Sequence, residues 1–286
     1  MIVVGNDSFG EKLAKSLNAD FVKFEQRTFP DGEICPRILG DVSEDVILVN
    51  RAKLPLEPNK YFVETLLLLK TLREVAENID VVMPYFVYAR QDKPFREGEP
   101  FSAKFVLEAL FDAGADRFFT VSSHAEKDKE KLSIGKDAFN VNGSAAIGNY
   151  LRNKKFSNPI IVGPDDGADF FASTVADALN CDYVLFEKHR DLATGEIEMN
   201  SSYDLHGKDA IIVDDISGSG NTIVPAIELC KKQGAKNVSC YVVHLVSDKS
   251  IGRISPHAKE FLATDTIETP VSKISVVGQL AEKLKL

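Results

Sequence analysis

The apolar and polar positions of this chain follow two alternating periods. Short runs rich in β-branched residues predict strands at Ile2–Val4, Val46–Val49, Val81–Pro84, Phe118–Val121, Ile160–Val162, Ala210–Val213 and Val238–His244. Between them, a 3.6-residue spacing of apolar side chains predicts helices over Tyr61–Glu77, Ser102–Ala113, Gly167–Leu179 and Thr222–Gln233. Apolar strands separated by helices are typical of a mostly parallel sheet covered on both faces. The pattern therefore predicts an α/β fold.

The two halves of the chain resemble each other. The segment DVILVN at Asp45–Asn50 precedes a loop, a helix and a second strand, and DAIIVD at Asp209–Asp214 precedes the same series. This similarity predicts a duplicated arrangement whose boundary divides the chain almost equally. We expect an N-terminal domain at residues 1–143 and a C-terminal domain at residues 144–286, with the last helix packing back on the first domain.

Composition and charge narrow the classes of partner. The 286 residues include 43 acidic and 34 basic side chains, a net charge of −9. Such a surface repels a nucleic-acid backbone and anionic membranes, so we expect neither as a partner, although local cations can still bind a small anion. No apolar run approaches a membrane span of roughly 18 residues, and no signal-peptide pattern is evident. Four scattered cysteines favour a reduced, cytoplasmic protein without a disulfide framework or a zinc site.

The most informative stretch is AIIVDDISGSGNT at Ala210–Thr222. A predicted strand leads into Asp214 and Asp215, and a Ser/Gly loop then leads into a helix. Backbone N–H groups of such a loop, together with the helix N-terminus, form a nest for a phosphate, and the two carboxylates suit the hydroxyls of a neighbouring diol. The loop residues are Ser217, Gly218, Ser219, Gly220, Asn221 and Thr222. The stretch predicts a ribose phosphate site, and a plain turn with a helix cap is the alternative.

Other phosphate-binding motifs do not match this loop. GxxxxGK[ST] is absent, and Gly218-Ser219-Gly220 lacks the third glycine of the dinucleotide fingerprint. VDDISGSGNT instead resembles the phosphoribosyl diphosphate-binding loop of proteins with the phosphoribosyltransferase fold. Three further segments narrow the resemblance to the ribose-phosphate pyrophosphokinase family. They are FPDGE at Phe29–Glu33, PYFVYARQDKPFREGEPFSAK at Pro84–Lys104 and KHR at Lys188–Arg190.

The resemblance covers essentially the whole chain. It implies two phosphoribosyltransferase-type domains, each a mostly parallel sheet flanked by helices. It also implies transfer of the diphosphoryl group of ATP to the anomeric hydroxyl of ribose 5-phosphate, which yields 5-phosphoribosyl 1-diphosphate and AMP for nucleotide biosynthesis. The residues that it assigns to ATP binding are Phe29, Asp31, Glu33, Arg90, Gln91, Asp92 and His124. The first three would hold adenine across a subunit boundary, so we expect a homodimer or a higher homo-oligomer.

The resemblance further implies a metal and two catalytic cations. Mg²⁺ is the expected cofactor, with His124 and Asp165 as its ligands, and the adjacent Asp166 leaves open which acid faces the metal. Lys188 and Arg190 match the family's catalytic cations at the start of a closing loop. Two cations separated by one residue on an extended chain project to the same side, so both could contact one polyphosphate.

Several positions depart from the common family pattern. The segment HAEKDKEKLSIG after His124 lacks a glutamine-rich, aromatic stretch. In the phosphate loop, Gly218 stands at the position of a third acid, Ser219 at that of a threonine and Asn221 at that of a glycine. Serine keeps the hydroxyl, and asparagine tolerates a left-handed backbone, so we expect phosphate binding to survive.

Two other functions stay open at this point. A phosphoribosyltransferase would share the phosphate loop but would not need the ATP segment Tyr88–Asp92. A non-catalytic regulatory relative would bind the ligand without reaction. The presence of the two catalytic cations together with His124 and Asp165 argues against loss of catalysis.

Overall fold

A computed structural model describes residues 1–42, 44–124, 126, 128–135, 137–190, 197–201 and 203–286. The side chains of residues 44, 188–190 and 197–199 also lie outside the described part. The chain divides into two compact units. Unit 1 comprises Met1–Asn142 and Val276–Leu286, and unit 2 comprises Gly143–Ser275.

The elements are named here in chain order. The strands are β1 Ile2–Gly5, β2 Asp20–Thr28, β3 Ile34–Ile38, β4 Glu44–Val49, β5 Ala52–Lys53, β6 Ala76–Val82, β7 Arg117–Val121, β8 Ala138–Val141, β9 Pro159–Gly163, β10 Tyr183–Leu185, β11 Glu187–Arg190, β12 Ile197–Asn200, β13 Asp209–Ser217, β14 Asn237–Leu245, β15 Glu260–Thr264, β16 Ile267–Glu268 and β17 Ser272–Ile274. The helices are α1 Ser8–Leu17, α2 Pro58–Arg73, α3 Ser102–Ala113, α4 Gly143–Leu151, α5 Asp169–Leu179, α6 Ile223–Lys232, α7 Lys249–Ile254 and α8 Val277–Leu284, and a 3₁₀ turn covers Asp166–Ala168.

Unit 1 is built on a seven-stranded sheet with the order β3-β2-β1-β4-β6-β7-β8. Its neighbouring strands are parallel except for β2 and β3, which form an antiparallel hairpin. The inner strands are apolar along their length because helices cover the sheet, and Val3, Val4 and Leu48 have no exposed surface. Asp7 begins α1 as its N-cap, accepting the N–H groups of Phe9 and Gly10.

Helix α8 completes unit 1 from the far end of the sequence. It packs against α1 and buries Val277, Leu280, Ala281 and Leu284. The guanidinium of Arg117 donates to the carbonyl of Leu284 at 3.3 Å, and Lys283 pairs with Glu130 at 3.0 Å. Both contacts attach the final segment to the β7–β8 side of the sheet.

Unit 2 is built on a six-stranded parallel sheet with the order β10-β9-β13-β14-β15-β17. Strands β11 and β12 pair separately as an antiparallel hairpin. The sheet is covered by amphipathic helices, and α6 buries Ile223, Ala226, Ile227 and Cys230 against it. Within the described residues, no helix is long and apolar enough to cross a membrane.

The α/β architecture predicted from the apolar pattern is confirmed, with differences at particular elements. The helix predicted over Tyr61–Glu77 ends at Arg73, and the next residues enter β6, where Ile79, Val81 and Val82 are fully buried between β4 and β7. Of the residues in the predicted helix, Ala76 and Glu77 thus belong to β6, so pairing with β4 outweighs the helical spacing at this end. The strand predicted to end at Val213 continues through both neighbouring acids to Ser217.

Candidate active site

The two neighbouring acids lie inside strand β13 rather than after it. Their strand pairs with β14 as far as Ser217, whereas its pairing with β9 runs from Asp209 to Ile212. The acids therefore occupy the part of β13 that extends beyond β9. Asp214 and Asp215 retain only 8% and 7% of their exposure, so both carboxylates are largely removed from water.

Electrostatics connect these acids to a third carboxylate. Burial raises the pKa of Asp214 well above its ordinary value, and the charges of Asp215 and Asp165 raise it further. Asp165 follows β9 and is half-buried, whereas Asp166 is exposed in the 3₁₀ turn. The backbone N–H of Asp215 donates to Asp214 Oδ1 at 2.9 Å. Asp165 is thus the acid of its pair that faces the other two, and a group of like charges of this kind favours a cation or hydroxyl donors.

The phosphate loop joins β13 to α6. Gly220 adopts a φ of +76°, a left-handed conformation that favours glycine. Its carbonyl accepts the N–H of Val224 at 3.0 Å, and the N–H of Asn221 meets Ser219 Oγ at 3.4 Å. Helix α6 begins directly after Thr222, so its N-terminus lies at the loop. Within its first turn, the N–H groups of Val224 and Ala226 donate to the carbonyls of Gly220 and Thr222, and Pro225 has no N–H. The strand, loop and helix therefore follow one another in the order that the predicted anion site requires, and the site itself stays a prediction.

Two residues of α7 contact this loop, and sequence analysis missed them. Ser250 Oγ lies 3.2 Å from Ser217 Oγ and donates to the carbonyl of Gly218 at 2.7 Å. Arg253 Nη1 donates to the carbonyl of Ser219 at 2.9 Å and also to Asn221 Oδ1. A helix of only six residues gives no periodic signal, although its position after β14, the neighbour of β13, would have directed attention to it.

In unit 1, the ATP segment and His124 lie at one edge of the sheet. Residues 83–92 follow β6, and His124 follows β7, its parallel neighbour. The N–H of Met83 donates to the carbonyl of Phe119 at 2.9 Å, which joins the two strand ends. Arg90 and His124 are exposed, and Asp92 is half-buried. The fold thus brings the predicted ATP residues of these two segments to a common edge, where ligands of open α/β sheets bind.

The backbone at this edge is unusual. Tyr88 and Ser122 have φ values of 65° and 40°, a region that non-glycine residues rarely enter, least of all bulky ones. The hydroxyl of Tyr88 donates to Asn59 Oδ1, and its ring meets Phe62 edge-on at 6.5 Å between centroids. Strained backbone of this type collects at functional sites, and here it flanks both Arg90 and His124.

The side chain of Gln91 forms hydrogen bonds within its own loop. Its Nε2 donates to the carbonyl of Lys93 at 3.0 Å and to Glu99 Oε2 at 3.1 Å. The same carboxylate accepts the N–H groups of Phe95 and Arg96, and these bonds, led by the one from Gln91, lower the pKa of Glu99. The side chain of Gln91 therefore holds the loop that follows the ATP segment.

FPDGE forms the tip of the β2–β3 hairpin. The N–H of Phe29 donates to the carbonyl of Glu33 at 2.8 Å, and the N–H of Glu33 donates to Asp31 Oδ1 at 3.1 Å. Phe29 is 38% exposed, with the guanidinium of Arg27 4.6 Å from its ring centre, and both acids are exposed. Strands β2 and β6 are three positions apart in the sheet, about 14 Å at the usual spacing. The structure therefore does not bring this tip together with the ATP segment.

The predicted catalytic cations lie in β11. Its register with β12 pairs Lys188 with Met199 and Arg190 with Ile197. The backbone is thus extended, as the sequence analysis required, but the side chains of both cations lie outside the described part of the structure. The predicted closing loop after Arg190 falls on residues 191–196, which are also outside it.

The predicted metal ligands are one imidazole, that of His124, and one carboxylate, that of Asp165. Among the described residues, no group of three or more histidine, cysteine, aspartate or glutamate side chains is arranged to hold a metal ion. His124 belongs to unit 1 and Asp165 to unit 2. Mg²⁺ is commonly bound by one or two carboxylates, water and substrate phosphates rather than by a cage of protein ligands. The acid group around Asp165 fits such a partial donor set.

Two comparisons with protein families agree with this geometry. Residues 1–114 match the N-terminal domain of ribose phosphate pyrophosphokinase, and residues 136–277 match the phosphoribosyl transferase domain. The sheets, the acid pair and the phosphate loop thus define a protein with two phosphoribosyltransferase-type domains, which confirms the predicted fold class. The chain belongs to the ribose-phosphate pyrophosphokinase family, as the sequence motifs indicated.

Individual relatives match along nearly the whole chain. The ribose-phosphate pyrophosphokinase of Sulfurisphaera tokodaii is 36% identical, with 97% of each chain covered. That of Methanobrevibacter smithii is 32% identical, with 100% of each covered. The crystal structure of phosphoribosylpyrophosphate synthetase from Mycobacterium smegmatis superposes with a TM-score of 0.84 at 27% identity, over 100% of this chain and 97% of that one.

Proposed function

We propose that this chain transfers the diphosphoryl group of ATP to the anomeric hydroxyl of ribose 5-phosphate, which gives 5-phosphoribosyl 1-diphosphate and AMP. The observation that carries the proposal is the buried acid pair of β13 leading directly into an anion loop and a helix N-terminus. The family membership, which extends over both units, supplies the reaction class.

Ribose 5-phosphate fits the β13–α6 segment at both of its ends. The N–H groups at Gly218–Thr222 would donate to the phosphate, and Asp214 and Asp215 would accept from the ribose 2′- and 3′-hydroxyls. Hydroxyl donors relieve the repulsion among buried carboxylates, so the ribose hydroxyls would be favourable partners for the acid pair.

ATP would bind with residues of unit 1. Arg90 offers a planar fork for phosphate oxygens or a face for adenine, and Asp92 and His124 lie at the same sheet edge. Phe29 would stack on the adenine of another copy, while Asp31 and Glu33 accept its exocyclic amine. The hairpin tip is exposed and remote from the ATP segment in the same sheet. This placement supports contact with the adenine bound to another copy, and hence a homo-oligomer.

The chemical step would need positioning and charge neutralisation more than covalent catalysis. The anomeric oxygen would form a bond to the β-phosphorus, the bond from that phosphorus to the bridging oxygen of AMP would break, and the hydroxyl proton would leave to solvent. Lys188 and Arg190 would stabilise the charge on the transferred oxygens. Mg²⁺, for which the family resemblance names Asp165 and His124 as ligands, would supply further neutralisation of the phosphates.

Product analysis tests the proposal directly. The chain is incubated with MgATP and ribose 5-phosphate, and ³¹P NMR identifies the products, with a control that lacks the sugar. AMP together with phosphoribosyl diphosphate is expected. ADP would instead indicate a simple kinase, and neither product would favour a phosphoribosyltransferase or a binding protein.

Mixing two inactive variants tests the shared adenine site. Phe29→Ala removes the stacking ring of one copy, and Lys188→Ala removes the catalytic cation of another. If the ring serves a neighbouring copy, co-refolded mixtures contain some sites with both residues and regain activity. Mixtures that exchange subunits, as sedimentation of a tagged copy would report, yet stay inactive would contradict a site formed by two copies.

A further inference from the structure

The phosphate loop is held from behind by helix α7. We propose that Ser250 and Arg253 are positioning residues that keep the loop in its phosphate-binding conformation, so that losing either weakens binding of ribose 5-phosphate specifically. This inference rests on the proposed function of the loop. Neither residue belongs to the acid pair, to the loop itself or to the motifs by which the family resemblance was found.

Ser250 holds the first half of the loop. It is completely buried, and its hydroxyl lies between Ser217 Oγ at 3.2 Å and the carbonyl of Gly218 at 2.7 Å. A buried hydroxyl in this position fixes where β13 ends, because the carbonyl of Gly218 cannot turn without losing its donor. The direction of the N–H groups that follow depends on that carbonyl.

Arg253 holds the second half. A single guanidinium nitrogen, Nη1, donates to the carbonyl of Ser219 and to Asn221 Oδ1, on either side of Gly220. The contact spans the one loop residue with a positive φ. A Cβ added to Gly220 would lie 3.3 Å from Ile254 Cγ1, so α7 is already packed against the loop at this point. The guanidinium therefore bridges the tightest bend of the loop.

Asn221 takes part in this bridge through its side chain. It is one of the positions at which the loop departs from the common family pattern, where a glycine is frequent, and its side chain supplies the second acceptor of Arg253. The loop thus exchanges a flexible residue for one that is tied to α7. A loop ordered before the ligand arrives loses less conformational entropy on binding, which raises affinity without a new ligand contact.

Calorimetric titration with ribose 5-phosphate and steady-state kinetics test the inference together. Arg253→Met removes a charge-assisted bond and should weaken affinity for ribose 5-phosphate about tenfold or more, while KM for ATP and kcat stay within about twofold. Arg253→Lys should weaken affinity less, because an ammonium can still donate to one of the two acceptors. Ser250→Ala should follow Arg253→Met in direction.

Arg152 provides a matched control. It is exposed just after α4 and has the same kinds of acceptor as Arg253, since its Nε donates to the carbonyl of Ala178 and its Nη1 donates to Asn149 Oδ1. Arg152→Met should leave affinity for ribose 5-phosphate unchanged. If both arginine substitutions weakened the affinity for ribose 5-phosphate equally, the inference would be overturned, because the effect of Arg253→Met would then reflect only a general loss of stability.

A double-mutant cycle separates positioning from independent effects. Asn221→Ala and Arg253→Met are expected to be coupled, so the double variant should lose little more affinity than the worse single variant. Fully multiplicative losses, or wild-type affinity in folded Arg253→Met, would overturn the inference. A wild-type chain that binds ribose 5-phosphate but forms no AMP would contradict the proposed function alone, because the affinities of the variants could still be compared.

Discussion

Corresponding strands in the two units carry different side chains at their carboxyl ends, a hydrogen-bonded amide in unit 1 and buried acids in unit 2. Asn50 follows β4 in unit 1 at the position that Asp214 holds in β13 of unit 2, by the match of DVILVN with DAIIVD. The side-chain amide of Asn50 donates to Glu64 Oε2 at 3.1 Å and to Thr65 Oγ1 at 3.0 Å, and its backbone carbonyl accepts the hydroxyl of Tyr61. Side chains of unit 1 thus provide hydrogen-bond partners for the polar groups of Asn50 at this strand end.

The next position shows the same contrast. Arg51 pairs with Asp7, which also caps α1, so its charge is neutralised within unit 1. The equivalent Asp215 instead lies beside Asp214, and its negative charge helps to raise the pKa of Asp214. The two units therefore share a strand arrangement but differ in the charges at two adjacent positions, which are Asn50 and Arg51 in unit 1 and Asp214 and Asp215 in unit 2. In unit 1 they stabilise the fold, and in unit 2 they favour a ligand.

The largest effect expected in unit 2 comes from Lys188, the predicted catalytic cation. Lys188→Ala should lower kcat by about 10³ or more, judged from the loss of other preorganised charge stabilisers, while affinity for ribose 5-phosphate stays nearly unchanged. Rapid-quench measurement of AMP formation checks this. Lys232→Ala, at the exposed end of α6, is the control and should keep full activity. Near-normal turnover in the first variant would remove Lys188 from the chemistry.

Removing the charge of both acids in unit 2 should strongly weaken the proposed binding of the sugar. Asp214→Asn with Asp215→Asn is expected to weaken ribose 5-phosphate binding about 100-fold, because two charged acceptors are lost. The same variant should melt at a higher temperature, because burial and like charges disfavour the Asp214 carboxylate. Calorimetry and thermal unfolding measure the two effects. A fall in ATP affinity alone would show that the acids do not hold the diol.

The reverse change should damage unit 1 without touching the sugar site. Asn50→Asp removes the donor to Glu64 and Thr65 and buries a second acid beside Glu64, so unfolding in urea should require about 3 kcal/mol less. KM for ribose 5-phosphate should not change. Asn78→Asp, at an exposed site, is a control of the same chemistry and should cost little. A selective loss of sugar binding in Asn50→Asp would end the division of roles between the units.

The smallest expected effect concerns pH. Burial raises the pKa of Glu64 from its ordinary value of 4.5, although the bond from Asn50 opposes this shift. The folded state therefore holds this proton more tightly, and the resulting stabilisation is complete below 4.5 and lost as pH rises through the raised pKa. Glu64→Gln should reduce the fall in Tm between about pH 5 and about pH 8 by about 1–3 °C. An unchanged profile would show that Glu64 does not carry this dependence.

Sequence reasoning succeeded where the structural pattern is local. The segment from Asp214 to Thr222 contains two acids, a glycine-rich turn and a helix start within a few residues, so the order of strand, loop and helix could be predicted from spacing alone, although the strand continues through both acids to Ser217. The parallel sheets followed from buried apolar strands in the same way. Roles assigned to single residues, such as Lys188 or His124, depended on the family resemblance and stay predictions.

Other features required the folded chain. Ser250 and Ser217 are 33 positions apart, and no local pattern connects them. The β2–β3 hairpin was missed because its outer strands are largely exposed and polar, without the apolar run that marks a buried strand. Asp165 could be distinguished from Asp166 only by burial and by its effect on Asp214.

The return of α8 to unit 1 has a consequence for biosynthesis. The ribosome makes residues 143–275 before Val276–Leu286, yet the latter segment covers α1 and contributes five buried apolar side chains. Unit 2 can therefore acquire all of its own contacts while unit 1, although translated earlier, still exposes an apolar surface on α1. Nascent chains should depend on chaperones mainly through the unit that was made first.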